Sequence, residues 1–280
     1  MADAALEAAG LWFWYQEDTP VLRGVDLCVP RGQFVALVGA NGSGKTTLVK
    51  HTNGLLRPQR GEVRVAGQAA AGLSVGELAR QVGFLFQHPE QQIFAGTVHE
   101  ELAFGPRNLG LPEGEVEGRV QAALARFDLA GVARRPPAIL GYGTRRRVTL
   151  ASLAAMDPPL VVLDEPTVGL DAPGRRETFE WLDELHHQGR TIVLVSHDMG
   201  LVAAHAQRVL VLQQGRIVAD GTPADVFQEV AVLERASLLP PPVLGLAQAL
   251  RDRGLRGDSL SVDAFCDDYT ALARGHEPGL

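Results

Sequence analysis

The sequence predicts an α/β fold with a mainly parallel sheet, flanked by an N-terminal antiparallel β layer, an inserted helical subdomain and a small C-terminal helical extension. The first observation is three largely apolar runs, at 34–38, 160–163 and 191–195, as expected of strands covered on both faces. The second is that polar residues directly follow the runs at 160–163 and 191–195, where ligands bind in open α/β sheets. The third is a stretch of helical character at 90–137, which interrupts the strand alternation.

Length and composition are those of an ordinary globular protein. The chain has 280 residues, 46% hydrophobic and 21% charged, which is enough to bury a substantial core. No apolar run reaches the roughly 18 residues of a membrane span, and the acidic N-terminus lacks a signal-peptide pattern, so we expect a cytosolic chain. The net charge of −7 argues against nucleic acid as a partner. Cys28 and Cys266 match no metal-site spacing and are expected to be reduced thiols.

Two strands are predicted to open the chain as the antiparallel layer. Residues 11–15 form the first, 16–20 turn, and 21–29 form the second. Phe13 is expected to pack inside this layer, because Trp12 and Trp14 share the opposite face of the strand.

The middle of the chain changes from strands to helices. A helix over roughly 46–55 is followed by a short edge strand at 61–67 and a strand at 82–86. The sequence TVHE, beginning at Thr97, is a capping box and predicts a helix start there. The next helix is expected from near Pro112 to about Phe127.

The α/β pattern then returns and ends in a helical tail. A helix with apolar Phe179, Leu182 and Leu185 is predicted to end at Gly189, and residues 208–219 form a hairpin. Three prolines at 240–242 precede two short amphipathic helices, the first stopped by Gly254 and the second opening at Ser261.

The glycine-rich sequence GANGSGKTT at 39–47 fits the pattern GxxxxGK[ST] between a predicted strand and a predicted helix. Glycines let backbone N–H groups turn onto phosphate oxygens without a Cβ in the way. Lys45 is expected on the β- and γ-phosphates, and the Thr46 hydroxyl on a Mg²⁺ ion. The chain has 24 Arg but only two Lys, and one of them stands here, where a compact ammonium fits better than a planar guanidinium. The fold class is therefore that of a P-loop NTPase core.

Further polar groups at strand ends complete a predicted phosphoryl-transfer site. Gln87 follows one strand, Asp164 and Glu165 follow another, and His197 follows a third. Asp164 is expected to hold Mg²⁺ through its waters, while Glu165 is placed to take a proton from an attacking water. The predicted catalytic residues are Lys45, Glu165 and His197, and the predicted metal-site residues are Thr46, Gln87 and Asp164.

The order of these motifs resembles the ATP-binding subunit of ABC transporters. The resemblance rests on the phosphate loop, Gln87, the run LVVLDEP at 160–166, GLD at 169–171 and SHD at 196–198, and it covers about 6–224. It implies that Tyr15 stacks on adenine, that Gln87 links Mg²⁺ to a membrane partner, that Asp171 contacts a second ATPase subunit and that His197 contacts the γ-phosphate. The residues expected to bind ATP are Tyr15, Gly39, Asn41, Gly42, Ser43, Gly44, Lys45, Thr46, Thr47 and Gln87.

A narrower resemblance, to the ATPase of energy-coupling-factor importers for vitamins and transition-metal ions, rests on HPEQQIF at 88–94 and TVHEELAFGPRNLGL at 97–111. The Pro-rich tail with its two helices resembles the dimerisation extension of those subunits. The implied organisation is an ATP-binding domain at 1–228, with its helical subdomain at about 90–155, and an extension at 229–280. The implied location is the cytoplasmic face of the membrane, bound to integral transporter subunits.

The chain departs from the family at the signature loop, defined here as residues 141–144. The family reads LSGGQ, whereas this chain reads LGYGT from Leu140, so Gly141 lacks a hydroxyl and Tyr142 carries a ring where close backbone approach is expected. The loop is completed by Gly143 and Thr144. In the family this loop serves the ATP of the opposite subunit, so a heterodimer with a normal partner is favoured over a homodimer.

Two other functions stay open at this level. One is a soluble ABC-type ATPase not tied to transport, and the other is a hydrolysis-impaired, nucleotide-gated partner subunit. The basic run at 145–147 suggests nucleic acid, but basic residues follow this loop throughout the family, so no nucleic-acid role is assigned.

Overall fold

The computed structural model describes residues 3–88 and 92–275. The strands are β1 Ala4–Trp14, β2 Pro20–Pro30, β3 Phe34–Val38, β4 Arg60–Val65, β5 Gln68–Ala69, β6 Val82–Leu85, β7 Leu160–Asp164, β8 Thr191–Val195, β9 Arg208–Gln213 and β10 Arg216–Gly221. The α-helices are α1 Lys45–Val49, α2 Val75–Leu78, α3 Val98–Asn108, α4 Glu113–Arg126, α5 Tyr142–Met156, α6 Ala172–His187, α7 Met199–His205, α8 Pro223–Gln228, α9 Val230–Arg235, α10 Pro242–Ala249 and α11 Val262–Gly275.

The central sheet has six strands in the order β10-β9-β3-β8-β7-β6. All neighbouring pairs are parallel except β9 with β10, which form the predicted hairpin. Every residue of β3, β7 and β8 is buried, which explains why these strands are largely apolar in sequence. The predicted α/β class with a mainly parallel sheet is confirmed.

A second sheet, in the order β2-β1-β4-β5, is antiparallel. It is the predicted N-terminal layer, with two corrections. The first strand begins at Ala4 rather than Leu11, because β1 pairs with β2 on one side and β4 on the other. The strand predicted at 61–67 is not the edge, because β5 pairs with Arg64 and Val65.

The two faces of the central sheet bury separate apolar clusters. Alternate residues of β3 divide between them: Phe34 and Ala36 face the helical side, whereas Val35 and Leu37 face the antiparallel layer. The central strands are therefore held between two layers, with their carboxyl ends left accessible.

Helix α1 ends at Val49, so the prediction of a helix to about Leu55 is wrong. After Val49 the amides of His51 and Thr52 bond to carbonyls three residues earlier, which tightens the chain into turns. The side chains also compete for the backbone, since His51 Nδ1 contacts Thr47 O and Thr52 Oγ1 donates to Val49 O.

The predicted helical subdomain contains α3, α4 and α5, which pack on one another. Thr97 is the N-cap of α3, as predicted, and its hydroxyl accepts from the Glu100 amide at 3.2 Å. The capping box itself is incomplete: the Glu100 carboxylate accepts from the Thr97 hydroxyl and not from the Thr97 amide.

The C-terminal extension packs partly on the ATP-binding domain. Leu233, Leu238 and Leu244 are buried in the same apolar cluster as the helical side of the central sheet. Helix α11 follows, and Tyr269 on this helix is exposed. Within 3–88 and 92–275, none of the helices is both long and apolar enough to cross a bilayer.

Candidate nucleotide-binding and catalytic site

The glycine-rich loop connects the end of β3 to α1 and adopts backbone angles that favour glycine. Gly39, Gly42 and Gly44 have φ values of 154°, 79° and 108°. A Cβ on Gly39 would lie 2.2 Å from Leu212 O, so this position excludes any side chain. The loop therefore keeps its backbone exposed toward the space above the sheet.

Lys45 lies inside this loop and is 9% exposed. Its Nζ donates to Gly39 O at 2.8 Å and to Ala40 O at 3.0 Å. Burial lowers the pKa of this ammonium, while Glu165 and Asp164 act in the opposite direction. The buried Ser43 Oγ has no hydrogen-bond partner within the described residues. Ser43 does not line the cavity described below, whereas the buried Lys45 ammonium does and can pair with a phosphate oxygen there.

A buried carboxylate stands opposite the loop at the end of β7. Asp164 is 2% exposed, and its Oδ2 accepts from Thr46 Oγ1 at 2.7 Å. Burial raises the pKa of Asp164, because the charged form is poorly solvated there. A carboxylate and a hydroxyl beside a phosphate loop form the oxygen donor set that Mg²⁺ takes in phosphate sites.

Glu165 and His197 come together across the ends of β7 and β8. His197 Nδ1 lies 2.8 Å from Glu165 Oε2. Glu165 has a φ of 52°, in the left-handed region that side chains rarely adopt. Its amide donates to Val195 O at 3.0 Å, so β8 fixes this turn from the neighbouring strand.

Most of the predicted binding residues share one cavity of about 440 Å³. The lining residues are Tyr15, Val21, Asn41, Gly42, Gly44, Lys45, Thr46, Thr47, Gln87, Asp164 and Glu165. The sequence did not single out Val21, whose position depends on how β2 approaches the loop. The arrangement combines a cationic phosphate loop, a carboxylate for a metal and a second carboxylate for a water.

Tyr15 stands at the rim of this cavity and is 61% exposed. Its hydroxyl lies 3.2 Å from Thr47 Oγ1, and its ring meets Phe13 edge to face at 4.9 Å. Phe13 packs in turn on the buried His51, whose pKa is lowered by burial. Tyr15 thus packs on Phe13 of the antiparallel layer and leaves much of its ring accessible to solvent.

The signature loop lies at a different cavity, of about 360 Å³. Gly141, Gly143, Thr144 and Asp171 line it, and none of them lines the first cavity. Asp171 is also the N-cap of α6, with its Oδ1 accepting from the Gly174 amide at 2.9 Å. These residues are therefore not assembled with the phosphate loop within one chain.

Tyr142 packs its ring against Gly169, a contact that the sequence did not predict. A Cβ placed on Gly169 would lie 2.2 Å from Tyr142 Cε1. The ring of the altered signature loop therefore covers the backbone of the segment that leads to Asp171.

The basic run at 145–147 is not a basic surface patch. Arg146 is completely buried and bonds to backbone carbonyls beneath the site, a placement with no signal in the sequence beyond the run itself. Arg147 lines the second cavity, 3.8 Å from Asp128.

The motif at 88–94 is described in part, because Pro89, Glu90 and Gln91 lie outside the described residues. Gln92 accepts from the Phe86 amide at 3.1 Å and donates to Phe84 O at 2.9 Å, which ties the loop back onto β6. The buried Glu101 accepts from the amides of Phe94 and Ala95 at 3.0 and 2.8 Å. These residues shape the loop that follows Gln87.

Comparison with known proteins agrees with this geometry. The ABC transporter family profile matches residues 22–168, so the chain belongs to the ABC transporter ATP-binding family, whose members are ATPases. Among its relatives, the energy-coupling factor transporter ATP-binding protein EcfA of Methanocaldococcus jannaschii is 42% identical over 89% of this chain and 90% of its own length. The EcfA protein of Methanothermobacter thermautotrophicus is 42% identical over 96% of this chain and 88% of its own length.

Solved structures show the same fold. CbiO1 of Clostridium perfringens, part of the ABC transporter complex CbiONQ, matches with a TM-score of 0.73 and 33% identity, over 87% of this chain and 98% of that one. A dimeric ATP-binding cassette in a post-hydrolysis state with ADP and Pi matches with a TM-score of 0.70 and 25% identity, over 78% of this chain and 98% of that one. The predicted family, the P-loop fold and ATP as the nucleotide are confirmed.

Proposed function

We propose that this chain is the ATP-hydrolysing subunit of an energy-coupling-factor importer, which energises uptake of a vitamin or a transition-metal ion. The observation that carries the proposal is the shared cavity in which Lys45, Asp164 and Glu165 meet around the phosphate loop. Similarity to EcfA proteins along most of the chain supports the importer class.

The residues of the first cavity would divide the work of hydrolysis. Lys45, held by Gly39 O and Ala40 O, would bind the β- and γ-phosphates. Asn41, Gly42, Gly44 and Thr47 would surround the phosphates, and Tyr15 would stack on adenine. Glu165 would accept the proton of the attacking water, with His197 holding Glu165 in place and reaching the γ-phosphate.

The chemistry of the oxygen donors favours a magnesium ion at this site. Mg²⁺ prefers a few protein oxygens together with waters and phosphate oxygens, and when bound it would neutralise charge that develops on the phosphates. Thr46, Gln87 and Asp164 would hold it, and the ion would offset the burial that disfavours the charged form of Asp164.

The second cavity supports a dimer in which each nucleotide lies between two subunits. The signature loop and Asp171 would face the ATP held by the partner. Gly141 offers no hydroxyl to that ATP, whereas the first cavity of this chain is lined by Lys45, Asp164 and Glu165. We therefore favour a heterodimer in which the ATP bound in the first cavity of this chain meets an intact signature loop of the partner. The extension at 229–280, with Tyr269 exposed on α11, is proposed to contribute to dimerisation.

An exposed aromatic pair supports docking to a membrane subunit. Phe94 and Phe104 meet edge to face with ring centroids 4.6 Å apart, and both are about half or more exposed. Because they lie beside the loop that follows Gln87, a membrane subunit bound there would sense the nucleotide through Gln87. The chain would then sit at the cytoplasmic face of the membrane as a peripheral subunit.

Glu165→Gln tests the proposal in the complex purified from native membranes by a tag on this chain. We expect ATP binding to remain and turnover at this site to fall by more than about 10²-fold, because the general base is lost. Co-purification of integral membrane proteins and of a second ATPase subunit is expected. A tagged chain that hydrolyses ATP at ordinary rates as a homodimer without membrane subunits would contradict both the transport role and the heterodimer.

A second candidate is a nucleotide-gated subunit with impaired hydrolysis. The altered signature loop favours it, because Tyr142 and Gly141 change the contact with the partner's ATP. In that case Glu165→Gln would leave turnover of the complex unchanged, and the same assay distinguishes the two.

A further inference from the structure

Arg146 forms a buried junction beneath the catalytic cavity. It lies in α5, close behind the signature loop, and is 0% exposed. Its guanidinium donates to backbone carbonyls of two segments that are far apart in sequence. The acceptors are Phe86 O and Gln87 O at the end of β6, and Asp164 O, Glu165 O and Pro166 O at the end of β7.

These carbonyls belong to the turn that sets the direction of the Glu165 carboxylate. Glu165 has a left-handed backbone with a φ of 52°, which a residue with a Cβ adopts only when its surroundings over-determine it. Nε of Arg146 donates to Pro166 O at 2.9 Å, while Nη2 donates to Glu165 O. The guanidinium also donates to Asp164 O, so it holds the carbonyls of Asp164, Glu165 and Pro166. The Glu165 side chain lies between the first two of these carbonyls and contacts His197.

The same guanidinium also holds the backbone of Gln87, through its Nη1 group. Nη1 of Arg146 donates to Phe86 O and, at 3.1 Å, to Gln87 O. One side chain therefore links the carboxyl end of β6 to that of β7. Gln87, a proposed metal ligand, follows β6, and Glu165, the proposed proton acceptor, follows β7.

We propose that Arg146 is a positioning residue for ATP hydrolysis, which holds Glu165 and Gln87 in one geometry and joins both to the helix that carries the signature loop. This rests on the role proposed for Glu165. Arg146 lines neither cavity, so it acts through the backbone of those two residues and not on ATP.

Arg146→Met and Arg146→Lys test this in the complex captured through this chain. A misplacement of about 1 Å at the reacting group costs on the order of 10²-fold in rate. We therefore expect kcat to fall by about 10- to 100-fold in Arg146→Met, with the Kd for a fluorescent ATP analogue unchanged within about twofold. Lysine restores a charge and up to three donors but not the fork, so Arg146→Lys should recover part of kcat.

Arg190→Met is the matched control. Arg190 also loses a charged contact on substitution, to Asp157 at 2.7 Å, but it lies at the opposite ends of β7 and β8. The kcat of Arg190→Met should equal that of the unaltered chain after it is corrected for the fraction of folded protein, which thermal unfolding measures. If Arg146→Met does not fold, Arg146→Lys decides, and a kcat within twofold of the unaltered value refutes the positioning role.

The Glu165→Gln background separates this inference from the function on which it rests. Adding Arg146→Lys to Glu165→Gln should change the residual rate by a smaller factor than Arg146→Lys changes the rate of the unaltered chain, because the part of its effect that acts through Glu165 is already lost. Turnover retained by Glu165→Gln alone would refute the role of Glu165. An inactive Glu165→Gln together with a fully active Arg146→Lys would refute only the positioning role.

Discussion

Restoring a hydroxyl to the signature loop should accelerate hydrolysis of the ATP that this loop faces. Gly141 is exposed, and a Cβ built on it meets no atom within 4 Å. Its φ of −61° and ψ of 158° are those of an N-cap at the start of α5, a position that serine favours. Gly141→Ser is therefore free of strain and adds a few tenths of a kcal/mol to stability through the cap.

The magnitude follows from one hydrogen bond to a charged phosphate. Such a bond contributes about 1.5–3 kcal/mol, and each 1.4 kcal/mol lowers a barrier by one decade in rate. We expect turnover of the partner's nucleotide, measured with this chain's own site silenced by Glu165→Gln, to rise by about 10- to 100-fold, because the bond is stronger in the transition state than in the ground state. The ring of Tyr142 stays on Gly169 in this variant, so the added hydroxyl is the only change at the loop.

The assay is steady-state ATP hydrolysis by the complex, with Gly118→Ser as the control. Gly118 is an exposed glycine on α4 whose Cβ would also meet nothing within 4 Å, and its substitution should leave turnover unchanged. In a heterodimer the gain should survive Glu165→Gln in this chain, because the hydroxyl acts on the partner's nucleotide. A folded complex carrying Gly141→Ser and Glu165→Gln, with the same turnover as Glu165→Gln alone, would show that the missing hydroxyl does not limit the partner's site.

Three further outcomes are expected of single substitutions. Burial raises the pKa of Asp164, so the folded state binds a proton on this carboxyl more tightly than the unfolded chain does. The free energy of unfolding therefore falls as pH rises through the raised pKa. Asp164→Asn should therefore raise the melting temperature of the nucleotide-free protein at pH 7 relative to the unaltered chain, while abolishing the Mg²⁺-dependent part of ATP binding in calorimetry. Tyr15→Ala should weaken ATP binding by about 1–3 kcal/mol through lost stacking, whereas Tyr15→Phe should bind within about threefold of the unaltered chain. Gly39→Ala should lose about 1–3 kcal/mol of stability in urea unfolding, because its Cβ meets Leu212 O, and unchanged stability would mean that the loop relaxes freely.

The sequence predicted the central strands and the phosphate loop well, because both have short-range signals. Strands β3, β7 and β8 are buried on both faces, so their sequences are largely apolar, and polar residues mark the carboxyl ends of β7 and β8. The start of β1 had no such signal. Its first residues, from Ala4, are mostly alanine, which has low strand propensity, and they are strands because Leu6 pairs with Val29 and Val65 on either side.

The contacts around the signature loop could not be predicted, because they join residues far apart in the chain. Tyr142 covers Gly169 across a gap that only the packing of α5 on the sheet closes. Arg146 stands in a run of three arginines, and a charge run is usually exposed. Its burial depends on five carbonyls that converge after β6 and β7 are paired, which no local pattern records.

The altered signature loop and the intact catalytic cavity are compatible, because the two depend on different atoms of the same helix. In the proposed dimer, contact with the partner's ATP depends on the exposed Gly141 at the N-cap of α5. The internal link to Glu165 depends on the buried Arg146 one turn further along, whose acceptors are backbone carbonyls. A change at Gly141 or Tyr142 can therefore weaken the first contact without touching the second. On this reasoning the chain loses a group that serves its partner's site and keeps the groups that serve its own, which is the asymmetry that a heterodimer tolerates and a homodimer does not.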